Sequence, residues 1–194
     1  MGDSAAQTTV RVAELVCETK LDQIPRVVVN YSKSLALSAL GGMVSGAPIP
    51  NCKIVTRYVQ RMGGNREATV AASGFKTSVE SAALANGHFA HTTEYEDDSM
   101  PEGVSAYTLY PPLFALAEKL GSPGGRLLEA FVAGYEVQSR LGIDCNNARK
   151  RGYLNLSMMG VLGIAAGAAK LLDLDVQRTT WALSLAASQG CGLT

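Results

Sequence analysis

Apolar residues recur at helical spacing along almost the whole chain, and that periodicity constrains the fold more than any other feature of the sequence. Val12, Leu15 and Val16 mark a helix over residues 8–20. A second begins near Asp22, with Pro25 in its first turn, where a missing N–H costs little. It runs through Val28, Tyr31, Leu35 and Leu40 until Gly41-Gly42 weakens it. Ile54, Tyr58, Val59 and Met62 mark a third, ended by Gly63-Gly64-Asn65. Ser78 is placed to cap a long helix through Ala82, Leu84, Phe89 and Ala90. Pro111-Pro112 restart a helix that stops at Gly121, and residues 125–141 form the next. Residues 98–107 and 146–155 read as loops. A Gly/Ala-rich buried helix covers 157–172, its Gly160, Gly163 and Gly167 suited to tight packing, and Asp175 caps a last helix through Trp181 and Leu185. Only residues 68–74 (ATVAASG) read as a short strand. The expected fold class is all-α: one helical bundle over 1–194 with at most a minor strand or hairpin.

Composition narrows the function classes. Hydrophobic residues make up 47% and charged ones 18%, the reverse of a disordered chain. Seventeen basic residues balance seventeen acidic ones, which removes the long-range attraction that nucleic acid or an anionic membrane requires. No uninterrupted apolar run approaches the roughly 18 residues of a membrane span. The first residues lack a basic head and apolar stretch, and Ala6 stands where a myristoylation signal needs Ser or Thr. Cys17, Cys52, Cys145 and Cys191 form no C-x-x-C pair, so they fit a reducing compartment and small core positions. A cytoplasmic location is expected. The chain stops at Gly190-Cys191-Gly192-Leu193-Thr194, directly after an apolar helix and without a polar tail, so it reads as part of a longer polypeptide.

Chemistry concentrates in His91-Thr92-Thr93-Glu94-Tyr95-Glu96-Asp97-Asp98-Ser99. Four acids within five positions follow a helix whose C-terminal dipole disfavours negative charge. Neighbouring carboxylates raise one another's pKa, which suits acid–base catalysis. A solvated acidic helix end is the plain alternative. Metal binding through His88, His91 and Glu94 is disfavoured, because the chain has only two histidines to complete a site. His91 is the better catalytic candidate, since acids beside it favour its protonated form. Gly121-Ser122-Pro123-Gly124-Gly125 could cradle a phosphate, but it lacks the lysine and preceding strand of a P-loop and reads as a turn. Arg149-Lys150-Arg151 could clamp a carboxylate or simply be wet surface.

Ala85-Asn86-Gly87-His88-Phe89-Ala90-His91, followed by Glu94-Tyr95-Glu96-Asp97-Asp98, resembles the A-N-G-x-x-A-H-x-x-D-F-D-D motif of the MmgE/PrpD family. Colinear matches extend from about residue 8 to the end: Ile24-Pro25, Ala115-Leu116-Ala117-Glu118, Ala133-Gly134-Tyr135-Glu136-Val137, Gly160 through Asp175, and Trp181-Ala182-Leu183-Ser184. The resemblance implies the N-terminal part of a helical domain in a longer two-domain chain, normally dimeric. It implies a lyase or isomerase acting on small di- or tricarboxylic acids by dehydration, decarboxylation or epimerisation, with no redox cofactor and no metal. Glu94 falls on the first motif acid, Asp97 on a later one and His91 on the motif histidine, giving three catalytic candidates. A register shifted by one would pair Asp97-Asp98-Ser99 with the family's D-D-T and move the first acid to Tyr95. Asp98, Ser99, Arg151 and Ser157 are the substrate-binding candidates.

Two departures qualify the reaction. Family members of the decarboxylase type carry histidines where this chain has Val104 and Leu154. Loss of both imidazoles implies altered proton transfer, a less charged substrate, or no catalysis. The alternatives to an enzyme are a scaffold or partner subunit that keeps the fold without the site, and a binding module on an unrelated bundle.

Overall fold

The structure, a computed structural model, describes residues 2–100 and 103–193. Pro101 and Glu102 of the loop expected over 98–107, and the side chain of Arg149, lie outside the described residues. The elements follow in the order α1 (Gly2–Glu18), α2 (Arg26–Gly46), α3 (Pro50–Met62), β1 (Ala68–Val70), β2 (Phe75–Thr77), α4 (Val79–Thr92), α5 (Tyr110–Leu120), α6 (Gly124–Asp144), α7 (Asn146–Arg149), α8 (Asn155–Leu171) and α9 (Val176–Ala187). Short 3₁₀ turns over Leu21–Gln23 and Ala106–Thr108 complete the trace. The fold is all-α, with a single antiparallel hairpin in which Ala68 faces Thr77 and Val70 faces Phe75.

Local chemistry sets the boundaries. The Ser78 side chain accepts from the Ser81 N–H and caps α4, while Asp175 does the same for α9 through Arg178. Gly121 ends α5 in the left-handed region, and Ser122 N–H reaches back to the Ala117 carbonyl. The Gly121–Gly125 stretch is thus an interhelical turn.

Three sequence expectations need correction. Pro25 is the cap of α2 rather than a first-turn residue, because residues 21–23 wind into their own 3₁₀ turn. Residues 146–149 form a short helix rather than loop. Most tellingly, α2 runs straight through Gly41-Gly42 to Gly46. Burial of one face outweighs the propensity cost of about 1 kcal/mol per mid-helix glycine. A Cβ at Gly42 would lie 2.7 Å from the Tyr107 ring, and one at Gly46 would lie 2.0 Å from the Phe89 carbonyl oxygen.

The core has three parts. Leu35, Ala39 and Met43 of α2 meet Tyr110, Leu113 and Phe131, with Tyr110 stacked on Phe131 at 4.0 Å and its hydroxyl donating to the Ser32 carbonyl. Cys52, Val59, Val70 and Phe89 join α3 and the hairpin to α4. Ala13, Val16, Val137, Ala166 and Leu183 close α1 and α9 over α6 and α8. The last pair is in backbone contact: a Cβ at Gly134 would lie 2.6 Å from the Gly163 carbonyl oxygen, and one at Gly167 would lie 2.9 Å from that of Ala130. Cys52 is buried as expected of a core thiol, whereas Cys191 is exposed and Cys17 and Cys145 are half-buried; all four are free.

The outer face of α2 is apolar. Val27 (74% exposed), Tyr31, Leu37 (71%) and Val44 stand in solvent opposite the buried row. By length and composition this helix could span a membrane, although it contains no long uninterrupted apolar run and packs its other face into the bundle.

Candidate active site

The carboxylate cluster begins where α4 stops. Glu94 takes φ +52°, in the left-handed region that ends helices and that suits glycine far better than glutamate. Its N–H still reaches the His91 carbonyl, so the chain turns sharply and residues 94–98 run on without regular structure. That turn folds Glu96 back onto α4. His91 Nδ1 lies 2.6 Å from Glu96 Oε1, the imidazole 56% exposed and the carboxylate 15%. A carboxylate can only accept in this contact, so Nδ1 carries the hydrogen and Nε2 is left free as a base or, when protonated, as an acid. Glu96 Oε2 and His88 Nε2 are buried without a protein partner.

Asp97 points the other way. Its carboxylate accepts from the Ala106 N–H at 3.0 Å, the Ser105 hydroxyl at 3.2 Å and the Tyr135 hydroxyl at 3.4 Å. It therefore holds the 3₁₀ turn of residues 106–108 against α6. Gln138, fully buried on α6, braces the same turn by donating to the Ser105 carbonyl and accepting from Thr108. Burial raises the Asp97 pKa above its ordinary 3.8, outweighing the hydrogen bonds from Ala106, Ser105 and Tyr135 that act to lower it.

Two adjoining cavities open here. The larger, about 610 Å³, lies between α4 and the start of α8; His88, His91, Glu96, Ser105, Thr108 and Ser157 give it its polar groups. Leu84, Pro112, Leu154, Leu156, Val161 and Ile164 line much of the remainder. The smaller, about 310 Å³, is bordered by Glu94, Glu96, Asp97 and Asp98 together with Ser105 and Asn155. Glu96, Ser105, Leu154 and Leu156 belong to both. Residues 190–193 cross the start of α8: Leu154 N–H donates to the Gly192 carbonyl, and a Cβ at Gly192 would lie 2.4 Å from Ser157 Cβ.

Of the residues singled out in the sequence, His91, Glu94, Asp97, Asp98 and Ser157 thus gather on these cavities. Ser99 does not line either; it pairs with Val104 in an isolated bridge. Nor does Arg151, which is exposed in the turn after α7. Val104 is fully buried, while Leu154 faces both cavities. Sequence reasoning missed Glu96 as the partner of His91. Five positions separate the pair across a helix end, so no helical spacing brings them together, and only the turn at Glu94 does. Among the described residues no three His, Cys, Asp or Glu side chains are grouped to hold a metal ion.

Fold and site together define a helical-bundle domain with an imidazole–carboxylate pair opening onto a cavity of small-molecule size. The chain belongs to the MmgE/PrpD family, matching its N-terminal domain over residues 10–194. It is 30% identical over 184 residues to the cis-aconitate decarboxylase of Mus musculus, covering 91% of this chain and 38% of the relative. It is 32% identical over 177 residues to that of Homo sapiens, covering 87% and 37%. The cis-aconitate decarboxylase-like protein oryM of Aspergillus oryzae is 29% identical over 196 residues, covering 95% and 40%. The chain thus spans about two fifths of the length of these relatives.

Proposed function

We propose that this chain supplies acid–base groups to a lyase or isomerase that acts on small carboxylic acids by moving a proton next to a carboxylate. The observation that carries the reading is the His91–Glu96 pair at 2.6 Å on the wall of the larger cavity. Glu96 fixes the tautomer and ring orientation, and stabilises the imidazolium that forms when Nε2 takes a proton. In dehydration or epimerisation, Nε2 removes the α-hydrogen as a proton and the electron pair passes into the substrate carboxylate. The resulting enediolate then either expels a β-hydroxyl, protonated as it leaves as water, or takes a proton back on the opposite face. In decarboxylation the breaking C–C bond supplies the pair as CO₂ departs, and protonated His91 delivers a proton to the carbon. Neither route needs a redox cofactor.

Glu94, on the rim of the smaller cavity, is the second acid–base group in this reading. Asp98 and Ser157 contact substrate. Asp97 is a positioning residue, because its carboxylate is already engaged by the 105–107 turn. Ser99 and Arg151 lie off both cavities, and this reading gives them no role within them. The relatives' names support a carboxylic-acid substrate, and the resemblance to the family motif, in the register that aligns Glu94 with its first acid, supports His91 and Glu94 as the acid–base groups.

The test is turnover and solvent-deuterium exchange by the full-length polypeptide in heavy water, followed by NMR over a panel of di- and tricarboxylic acids. His91→Gln should lower kcat by about 10²- to 10⁴-fold, the usual worth of a general acid or base. Glu96→Gln should lower it less. Absence of both turnover and exchange across the panel would refute the reading. Val104 and Leu154, apolar where decarboxylase-type members carry histidine, favour a second reading: a non-catalytic scaffold that retains the fold. Turnover that survived both His91→Gln and Glu94→Gln would place the chemistry elsewhere and leave this domain that scaffold role.

A further inference from the structure

We infer that His88 is a further catalytic residue of the larger cavity, its Nε2–H hydrogen-bonding a substrate carboxylate while His91 moves the proton beside it; the inference rests on the site assignment above and adds a residue to it. Placement gives the first argument. Leu84, Gly87, His88 and His91 stand at i, i+3, i+4 and i+7 of α4, a single helical stripe, and all four line the cavity. A Cβ at Gly87 would meet nothing within 4 Å, so the cavity is open along this stripe. Residues three apart on a helix have Cβ atoms about 5–6 Å apart, so the two imidazoles flank a space that one carboxylate and its α-carbon can span.

The second argument is a hydrogen bond that His88 lacks. The residue is half-buried on the cavity wall, and its Nε2 is buried without a protein partner among the described residues. An unpaired buried polar atom is costly, and a leucine in the same space would avoid that cost, so packing gives no reason for histidine here. The domain's own atoms enclose Nε2, so whatever pairs with it enters through the cavity and meets a ring that has turned towards it. Glu96 Oε2 is orphaned on the same cavity, but a carboxylate oxygen only accepts and repels an anion. His91 cannot donate to the substrate carboxylate while it serves as base, because Glu96 holds its hydrogen on Nδ1 and leaves Nε2 as a lone pair. That leaves His88, whose Nε2 can carry a hydrogen in the neutral ring and always does in the protonated one. As His91 withdraws the α-proton, the C–H electron pair moves into the carboxylate, and the hydrogen bond from His88 strengthens as negative charge gathers on the oxygen. No proton leaves His88.

The experiment uses the full-length polypeptide, with cis-aconitate, citrate and succinate as probes. Imidazole ¹⁵N spectra, assigned through single variants, should show the His88 and His91 signals both moving as a probe binds. Those signals come from the parent protein and do not depend on how a variant folds. His88→Leu should weaken the Kd of that probe about tenfold by calorimetry. It should lower kcat for the acid that is turned over by about 10²- to 10³-fold, the worth of one such donor. Its Tm should equal or exceed the parent's, because an orphaned buried nitrogen is removed. His88→Gln, which keeps an N–H donor, should recover about tenfold or more of the lost kcat. A His88 signal that stays still while a probe binds, or no binding of any probe, would overturn the inference. So would a His88→Leu protein with Kd and kcat within about twofold of the parent, or equal losses in the Leu and Gln variants. A Tm lowered by more than about 3 °C in His88→Leu would overturn it too, by showing that His88 serves packing or pairs with the rest of the polypeptide. Failure here is distinguishable from failure of the lyase reading. A moving His88 signal without turnover or exchange of any acid refutes catalysis and keeps the contact, whereas turnover lost in His91→Gln but intact in His88→Leu does the reverse.

Discussion

Replacing Gly46 with alanine should pull α2 away from the helix that carries His91. The new Cβ would lie 2.0 Å from the Phe89 carbonyl oxygen and 2.7 Å from its carbonyl carbon. Both are backbone atoms, so no rotamer change relieves the clash. The two helices must part by about 1.4 Å to restore an ordinary contact near 3.4 Å. Overpacking of a core usually costs about 1–3 kcal/mol, and backbone on both sides puts this site at or above the top of that range. Gly46 is the last residue of α2, so replacing it returns less than the ~1 kcal/mol of a mid-helix glycine, leaving a net loss of roughly 2–3 kcal/mol. For a domain of this size that lowers Tm by about 4–12 °C. Gly41→Ala is the control, because Gly41 lies in the same helix, exposed, with nothing within 4 Å of a Cβ. It should gain up to about 1 kcal/mol and raise Tm by about 2–4 °C. Thermal melts followed by circular dichroism read both. A Gly46→Ala protein that melts at or above the parent would refute the close-approach argument, and an equal fall for Gly41→Ala would locate the sensitivity in α2 itself.

Four further outcomes follow from the same geometry. Because burial raises the Asp97 pKa, the native state holds this proton more tightly than the unfolded chain, so the stability it contributes is present at acid pH and falls as pH climbs above 3.8 through the raised value; Asp97→Asn should flatten that slope in urea titrations at stepped pH, whereas an unchanged slope would count against it. Asn86→Ala should cost about 2–3 kcal/mol, since Asn86 accepts from the Ala71 N–H at 2.8 Å and donates to the Thr69 carbonyl at 2.9 Å, and both groups would be left unpaired; urea unfolding checks it, and a loss below 0.5 kcal/mol, roughly the smallest worth of a single hydrogen bond, would contradict it. Glu94→Gly should relieve the left-handed backbone and stabilise the fold by about 0.5–1 kcal/mol while lowering turnover of the full-length protein; unaltered turnover would remove Glu94 from the chemistry. The 194-residue chain should self-associate through the exposed row of α2, and Leu37→Lys with Val44→Lys should reduce this in light scattering, unless the parent already runs as a clean monomer.

Most of the helices were legible because their signals are local. Ser78 and Asp175 cap by hydrogen bonds that span three residues, Gly121 ends a helix by its own φ, and the apolar spacing of each segment is a property of that segment. The motif resemblance likewise located the stretch from His91 to Asp98 as the place to look. What each of its acids does was not legible. Glu94, Glu96, Asp97 and Asp98 look equivalent in the sequence, yet one takes a left-handed turn, one grips His91, one anchors the 3₁₀ turn of residues 106–108 and one stays exposed.

The reach of α2 through Gly41-Gly42 shows the same division. Propensity places a weak point there, and only the approach of Tyr107 and of the α4 backbone makes glycine the residue that fits at Gly42 and Gly46. The sequence alone therefore determined the class of fold, the order of its helices and the segment that carries the carboxylate cluster, because caps, turns and periodicity act within a few residues. Tertiary structure decided which carboxylate meets the imidazole and which apolar side chains enclose the cavity beside it. Those depend on how helices distant in sequence pack, and that is set by contacts no local pattern records.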